Sequence, residues 1–259
     1  MRRQILRALS AVLAAGGTAL LTVGAAGAAA NAAANSHAVS HPIIYTSSQG
    51  GYTATGRWFR FVATTVKVPA PGAYANYAEV VLGGATVGPV TLAVAAGGGP
   101  TSVGWSVGVP PFGMGGGALT KVDPRVGDTV LIDLYYDRSG GGVVATASDL
   151  TTGHTQAITI SAGTKALFTA AEVAAVLRNP ASPPPSNLRL WQFTNSAVTT
   201  YTGVHGTMTG PWTTNEVIDT TNGGASGQTV MSPSFLFNHN ADFGAWIRAF
   251  LAEVRRHRR

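Results

Sequence analysis

The sequence contains no cysteine among its 259 residues. Disulfides, thiol catalysis and cysteine-ligated metal centres are thereby excluded. The fold must be held by its core alone, which a domain above about 200 residues can manage. Charge is also scarce, with Asp, Glu, Lys and Arg together making up 11% of the chain. So few charges do not suit helices laced with surface ion pairs. The six histidines offer no metal-ligand spacing on a helix; His37 and His41 lie four apart, but in a polar lead-in. The letters G-x-S-x-G occur once, at Gly104 to Gly108, but inside the strand expected at 103–109 and not at the strand-to-helix turn of a nucleophile elbow, and the glycine runs at 97–99 and 113–117 lack the Lys-Ser/Thr of a phosphate loop. No metal and no cofactor is expected.

Glycine is abundant, at 33 residues, and apolar residues make up 45%. Many short strands with glycine turns fit that composition. The clearest stretch is Val126 to Ser161. Val130, Ile132, Leu134 and Tyr136 alternate with Thr129, Leu131, Asp133 and Tyr135. The segment Asp137-Arg138-Ser139-Gly140-Gly141-Gly142 reverses the chain, and Thr151-Thr152-Gly153 reverses it again. Strict period two places alternate side chains on opposite faces. Strands joined by such short turns pair antiparallel. Further strands are expected at 63–68, 77–82, 90–95, 103–109, 188–194, 216–220 and 229–237, with another at 243–247 or a short helix into the arginine tail. The fold class is therefore all-β, a two-sheet antiparallel β-sandwich of jelly-roll or concanavalin type. Residues 112–117 read as a glycine-rich loop and 195–214 as a long polar loop. Residues 169–178 fit either a strand or a helix capped by Thr169 with Glu172 three positions on.

The ends differ from the body. Residues 1–30 read as a signal peptide: a basic start with Arg2, Arg3 and Arg7, an uncharged Ala/Gly/Leu run and A-x-A cleavage sites. Arg2-Arg3 admits a twin-arginine subtype. An uncleaved membrane anchor is the alternative. Residues 31–48 form a polar lead-in, 49–250 the sandwich, and 251–259 a basic tail. Without the leader arginines, 14 basic residues stand against 11 acidic ones, a net charge of +3. The high pI thus belongs to the ends, and nucleic-acid binding is not inferred. The tail reads as an anchor to anionic envelope polymer or as a solvated end. A secreted monomer is expected.

Several segments, in order, resemble the eqolisin family of glutamic endopeptidases: Gly51-Tyr52, Phe61-Val62 with Val66-Lys67-Val68-Pro69, Val126-Gly127-Asp128, Asp149 to Gly153, Ala171-Glu172-Val173, Phe193 to Ala197, and Ser234 to Leu236 with Phe243 to Trp246. The resemblance spans about residues 51–247. It implies a lectin-like sandwich with a substrate groove, and peptide hydrolysis by a glutamate–glutamine pair. In such a pair the glutamate is general base and then acid, and the glutamine amide steadies the water and the oxyanion. Glu172 matches the family's glutamate. Ala93 falls at the glutamine position and supplies no hydrogen bond. The family's aromatic segment is reduced to Trp105, and Val173 replaces the tryptophan that follows the glutamate. Gln156 and Gln192 are weighed as substitutes and read as ordinary polar strand positions. Trp105 and Trp58 are the candidate groove residues.

Three functions follow as expectations. The first is a secreted, catalytically degenerate sandwich that binds peptide or cell-envelope polymer. The second is an active acid endopeptidase using Glu172 with a partner from outside the family pattern. The third is a glycan-binding, lectin-like module.

Overall fold

The computed structural model describes residues 42–46, 49–70, 76–84, 88–96, 100–108, 115–177 and 191–219. Fourteen strands and no helix occur among the described residues. They are β1 (Ile43–Thr46), β2 (Gln49–Thr55), β3 (Phe59–Lys67), β4 (Asn76–Gly84), β5 (Val90–Ala96), β6 (Ser102–Val107), β7 (Gly115–Ala118), β8 (Thr129–Asp137), β9 (Gly142–Asp149), β10 (Thr155–Ser161), β11 (Phe168–Leu177), β12 (Gln192–Thr200), β13 (His205–Gly206) and β14 (Thr213–Asp219).

The ladders divide into two sheets. One runs β10-β9-β8-β3-β12-β13, the other β7-β6-β5-β4-β11-β2-β14-β1. Their ladders join at one register pair, Phe59 with Phe168. Every pairing is antiparallel except β1 with β14. The core lies between the sheets. Val62, Val66, Ile132, Leu134 and Val143 face it from the first, and Val80, Leu82, Leu92, Ala171 and Val173 from the second. Phe59, Phe168, Phe193 and Trp191 are fully buried. Burying a large apolar side chain is worth about 1.5–3 kcal/mol, and such side chains do the work that disulfides do in many smaller domains. Trp191 also donates its indole N–H to Asn76 Oδ1 at 2.9 Å, which ties the entry of β12 to the start of β4.

The all-β sandwich expected from the alternation is what the chain forms. The block at 126–161 becomes β8, β9 and β10, with Gly141 at φ +63° in the first reversal. One open alternative is settled, and three local expectations need correction. Of the stretch 169–178, residues 169–177 are strand, and residue 178 lies outside the described residues: Ala171, Val173 and Ala175 alternate into the core, and β11 is paired on both sides by β2 and β4. Both neighbours demand extended backbone, and that overrides the helical reading of an alanine-rich stretch. The glycine loop contributes an edge strand, β7, on β6. The long loop after residue 195 begins as strand, because β12 continues to Thr200 against β3. Within the segment read as a lead-in, residues 43–46 form β1. The leader, the strands expected at 229–237 and 243–247, and the basic tail lie outside the described residues.

The two sheets differ on their outer faces. On the first sheet that face is buried too, with Phe61, Leu131, Tyr135 and Val144 packed together. On the second sheet it stays partly open, as the alternating burial of β4 and β5 records.

Candidate functional site

Glu172 stands on that open face, near the middle of the eight-stranded sheet. Its register neighbours are Thr53 on β2 and Val81 on β4. Antiparallel partners directly opposite each other share a face. One row across the strands therefore reads Asn215, Thr53, Glu172, Val81, Thr91, Ser106. The adjacent row reads Val217, Gly51, Ala174, Glu79, Ala93, Gly104. Small side chains flank Glu79 on both sides, while Thr and Ser hydroxyls line the row beside it. The result is a shallow trough running across the strands, with two carboxyl groups at its centre.

Glu172 has an amide companion. Gln49, at the start of β2, donates its side-chain N–H to Glu172 Oε1. Thr53 donates its hydroxyl to Oε2 at 3.2 Å. Gln49 is itself fixed at the backbone. Thr46 Oγ1 donates to the Gln49 carbonyl at 2.8 Å and accepts the Gln49 N–H at 3.0 Å. The side chains of Gln49 and Glu172 meet over Gly51 and Ala174, the register pair between them. A Cβ on Gly51 would overlap the Val173 carbonyl oxygen and come within 2.7 Å of Ala174 Cα. Only glycine permits so close an approach of β2 to β11.

The electrostatics follow from burial. Among the described residues this face carries no Lys, Arg or His. Desolvation pushes Glu172 up to about 7, against the pull of the Thr53 and Gln49 hydrogen bonds, which favour its charged form. Burial, and next the charge of Glu172, push Glu79 up to about 8. Both residues are half-buried as a whole, and their carboxyls lie deep enough to lose most of their hydration. No three His, Asp or Glu side chains gather to hold a metal among the described residues.

The other residues singled out in the sequence do not join this site. Ala93 lies in the trough floor, opposite Glu79 and Gly104. Trp105 is opposite Leu92, on the core side of β6, and packs on the core. Gly117 makes room for its ring, since a Cβ there would be 2.9 Å from the indole nitrogen. Trp58 is exposed in the turn between β2 and β3, not on the sheet face. Gln156 and Gln192 belong to β10 and β12 of the other sheet. The expectation that Glu172 has no amide beside it is corrected: the amide comes from Gln49, on a strand far from β5. Sequence reasoning also missed Glu79. The available signal was a lone acid in the alternating run Tyr77 to Leu82.

Comparison with family models and with curated proteins finds no match. Among solved structures, the chain is similar to scytalido-glutamic peptidase bound to a peptide-based transition-state analogue, at 21% identity and a TM-score of 0.47, covering 63% of this chain and 84% of that one. It is also similar to SCP-B, a member of the eqolisin family in complex with the tripeptide Ala-Ile-His, at 20% identity and a TM-score of 0.45, with 63% and 84% covered. Lactose- and MES-liganded congerin II matches at 14% identity and a TM-score of 0.34, over 49% of this chain and 95% of that chain.

Proposed function

We propose that this protein is a hydrolase that cuts a peptide chain laid along the trough, with Glu172 and Gln49 as the reacting pair. The hydrogen bond from the Gln49 amide to Glu172 is the observation that carries this reading. An amide NH2 has two donors. One holds the carboxylate, and the other is left for the oxygen on which charge develops. Glu172 takes a proton from water as the water attacks the carbonyl carbon, and Gln49 donates to the resulting oxyanion. The floor of Gly51, Ala174, Ala93 and Gly104 lets an extended backbone lie close to the sheet. A glycan usually rests on aromatic rings. The described part of this face offers only Tyr77, because Trp105 turns to the core.

The reading in which the trough binds peptide or envelope polymer without cutting it keeps one support, Ala93 at the position where the resemblance calls for glutamine. One assay separates the two. Purified protein is incubated with a quenched-fluorescent peptide library from pH 3 to 9, beside Glu172→Gln and Gln49→Leu. Cleavage by the parent that both substitutions remove supports the hydrolase. Peptide retention without cleavage at any pH supports binding alone. The leader composition supports an exported protein, and the arginine tail supports a contact with anionic envelope polymer.

A further inference from the structure

We propose that Glu79 is a second acid–base group of the same site, standing one strand across from Glu172 and protonating the leaving nitrogen. This rests on the hydrolase reading above and adds a residue to it.

The geometry starts from register. Glu79 on β4 is opposite Ala174 on β11, and Glu172 is two residues before Ala174. Both side chains thus share the open face, in diagonal positions. Such diagonal neighbours on adjacent strands lie about 7–8 Å apart at the backbone. That interval accommodates a scissile bond with the attacking water on one side and the departing group on the other. The other two corners of the square that the pair defines are Ala174, opposite Glu79, and Val81, opposite Glu172, and neither carries a polar group that would pair with a carboxyl. Glu79 has no role in the core, because its strand neighbours Ala78 and Val80 take the inward positions.

The two carboxyls are also ordered in their titration. The titratable and polar groups facing the pair from the flanking strands are Gln49 and Thr53 on β2, Tyr77 on β4 and Thr91 on β5. None of these is a cation. Gln49 and Thr53 hydrogen-bond Glu172 alone of the two carboxyls. Glu172 therefore gives up its proton first, and its charge holds the proton on Glu79. Base and acid are then in their working states together between about 7 and about 8. The balance is simple. Water loses a proton to Glu172 as the C–O bond forms. The C–N bond breaks with its electron pair on nitrogen, which takes the proton of Glu79. The products are a carboxylic acid and an amine, and solvent returns the proton from Glu172 to Glu79.

The test compares parent, Glu79→Gln and Glu172→Gln on two substrates with one acyl sequence, chosen from the library. One is an alkyl amide, and the other is a p-nitrophenyl ester whose leaving group needs no proton. Glu79→Gln should lose about 10²–10⁴ in kcat on the amide and little on the ester. The falling alkaline limb of the parent pH profile should vanish with it. Carboxyl 13C titration supplies a readout apart from rate: Glu172→Gln should lower the midpoint of Glu79. If Glu172→Gln is inactive while Glu79→Gln matches the parent on both substrates and keeps the alkaline limb, Glu79 is not the acid and the hydrolase reading survives. If the parent cleaves neither substrate, or Glu172→Gln cleaves both as well as the parent, the hydrolase reading fails and takes Glu79 with it.

Discussion

Gln49 and Glu172 are separated by 123 positions in the chain and joined by one hydrogen bond, from the amide N–H to Oε1. Strand order creates the contact. β2 lies beside β11, and the Gly51–Ala174 pair between the two side chains has nothing to obstruct them. Gln49→Leu keeps the volume and removes both donors. It should lower kcat by roughly 10²–10³, the usual cost of one oxyanion donor, with KM changed far less. Gln49→Glu puts a further carboxyl against Glu172 and should shift the rising acid limb of the rate profile to higher pH.

What could be read in advance was what is local. The β8–β9–β10 meander follows from period-two alternation and a glycine at positive φ in each reversal, Gly141 and Gly153, all within 36 consecutive residues. Glu172 stood out through its neighbours Ala171 and Val173, although the same alanines left helix and strand open. β7 carries three glycines and one alanine, so it has no side-chain pattern to reveal it. Gln49 was beyond reach for another reason. Its role depends on which strand flanks β11, and no short-range pattern encodes that. Glu79 sat in view in the expected strand at 77–82, but its meaning required the register with Ala174.

Gly51 makes the close approach possible, so even a methyl group there should be costly. Gly51→Ala sets a Cβ against the Val173 carbonyl and the Ala174 backbone, neither of which is a flexible side chain. The expected loss is about 1–3 kcal/mol, read as a lower urea midpoint with unchanged slope. Gly127→Ala is a useful contrast. A Cβ there meets nothing within 4 Å, and its φ of +90° supplies the only strain.

The carboxyl pair should make stability fall as pH rises. Both groups have native values raised above the ordinary 4.5, to about 7 and about 8. Below about 4.5 both are protonated in the folded and unfolded chain, so the pair favours neither state. Above that, the unfolded chain releases these protons while the native state retains them, and the native state loses ground until pH passes about 8. The double variant Glu79→Gln/Glu172→Gln should flatten this decline in a series of Tm measurements from pH 4 to 9. A decline equally steep in the double variant would place its source elsewhere.

Trp105 separates a groove role from a packing role. It shares the face of Leu92 and lies over Gly117. Trp105→Ala should therefore cost on the order of 3 kcal/mol in chemical denaturation. KM for peptide should stay within about twofold once measured well below the melting point, because the indole is on the other side of the sheet from the trough. A tenfold rise in KM with no loss of stability would instead put the ring in contact with substrate.

Asp133 gives an independent check on the second sheet. It is buried on the outer face of β8, opposite Ala63 and Thr146, and among the described residues neither carboxyl oxygen has a hydrogen-bond partner. Burial drives its carboxyl well above the usual range, and the nearby Thr146 hydroxyl offsets only part of that. The native state therefore holds Asp133 neutral at a pH where the unfolded chain ionises it. Stability is intact below the ordinary value of 3.8 and drains away as pH climbs above it. Asp133→Asn has nearly the same shape and no charge to lose. It should be more stable than the parent at pH 7 and no more stable at pH 3.5, as read from urea midpoints at the two values. Asn that proves destabilising at both would mean that the carboxyl is held as an anion, with a partner that the hydrogen-bond geometry of β8, β9 and β3 does not supply.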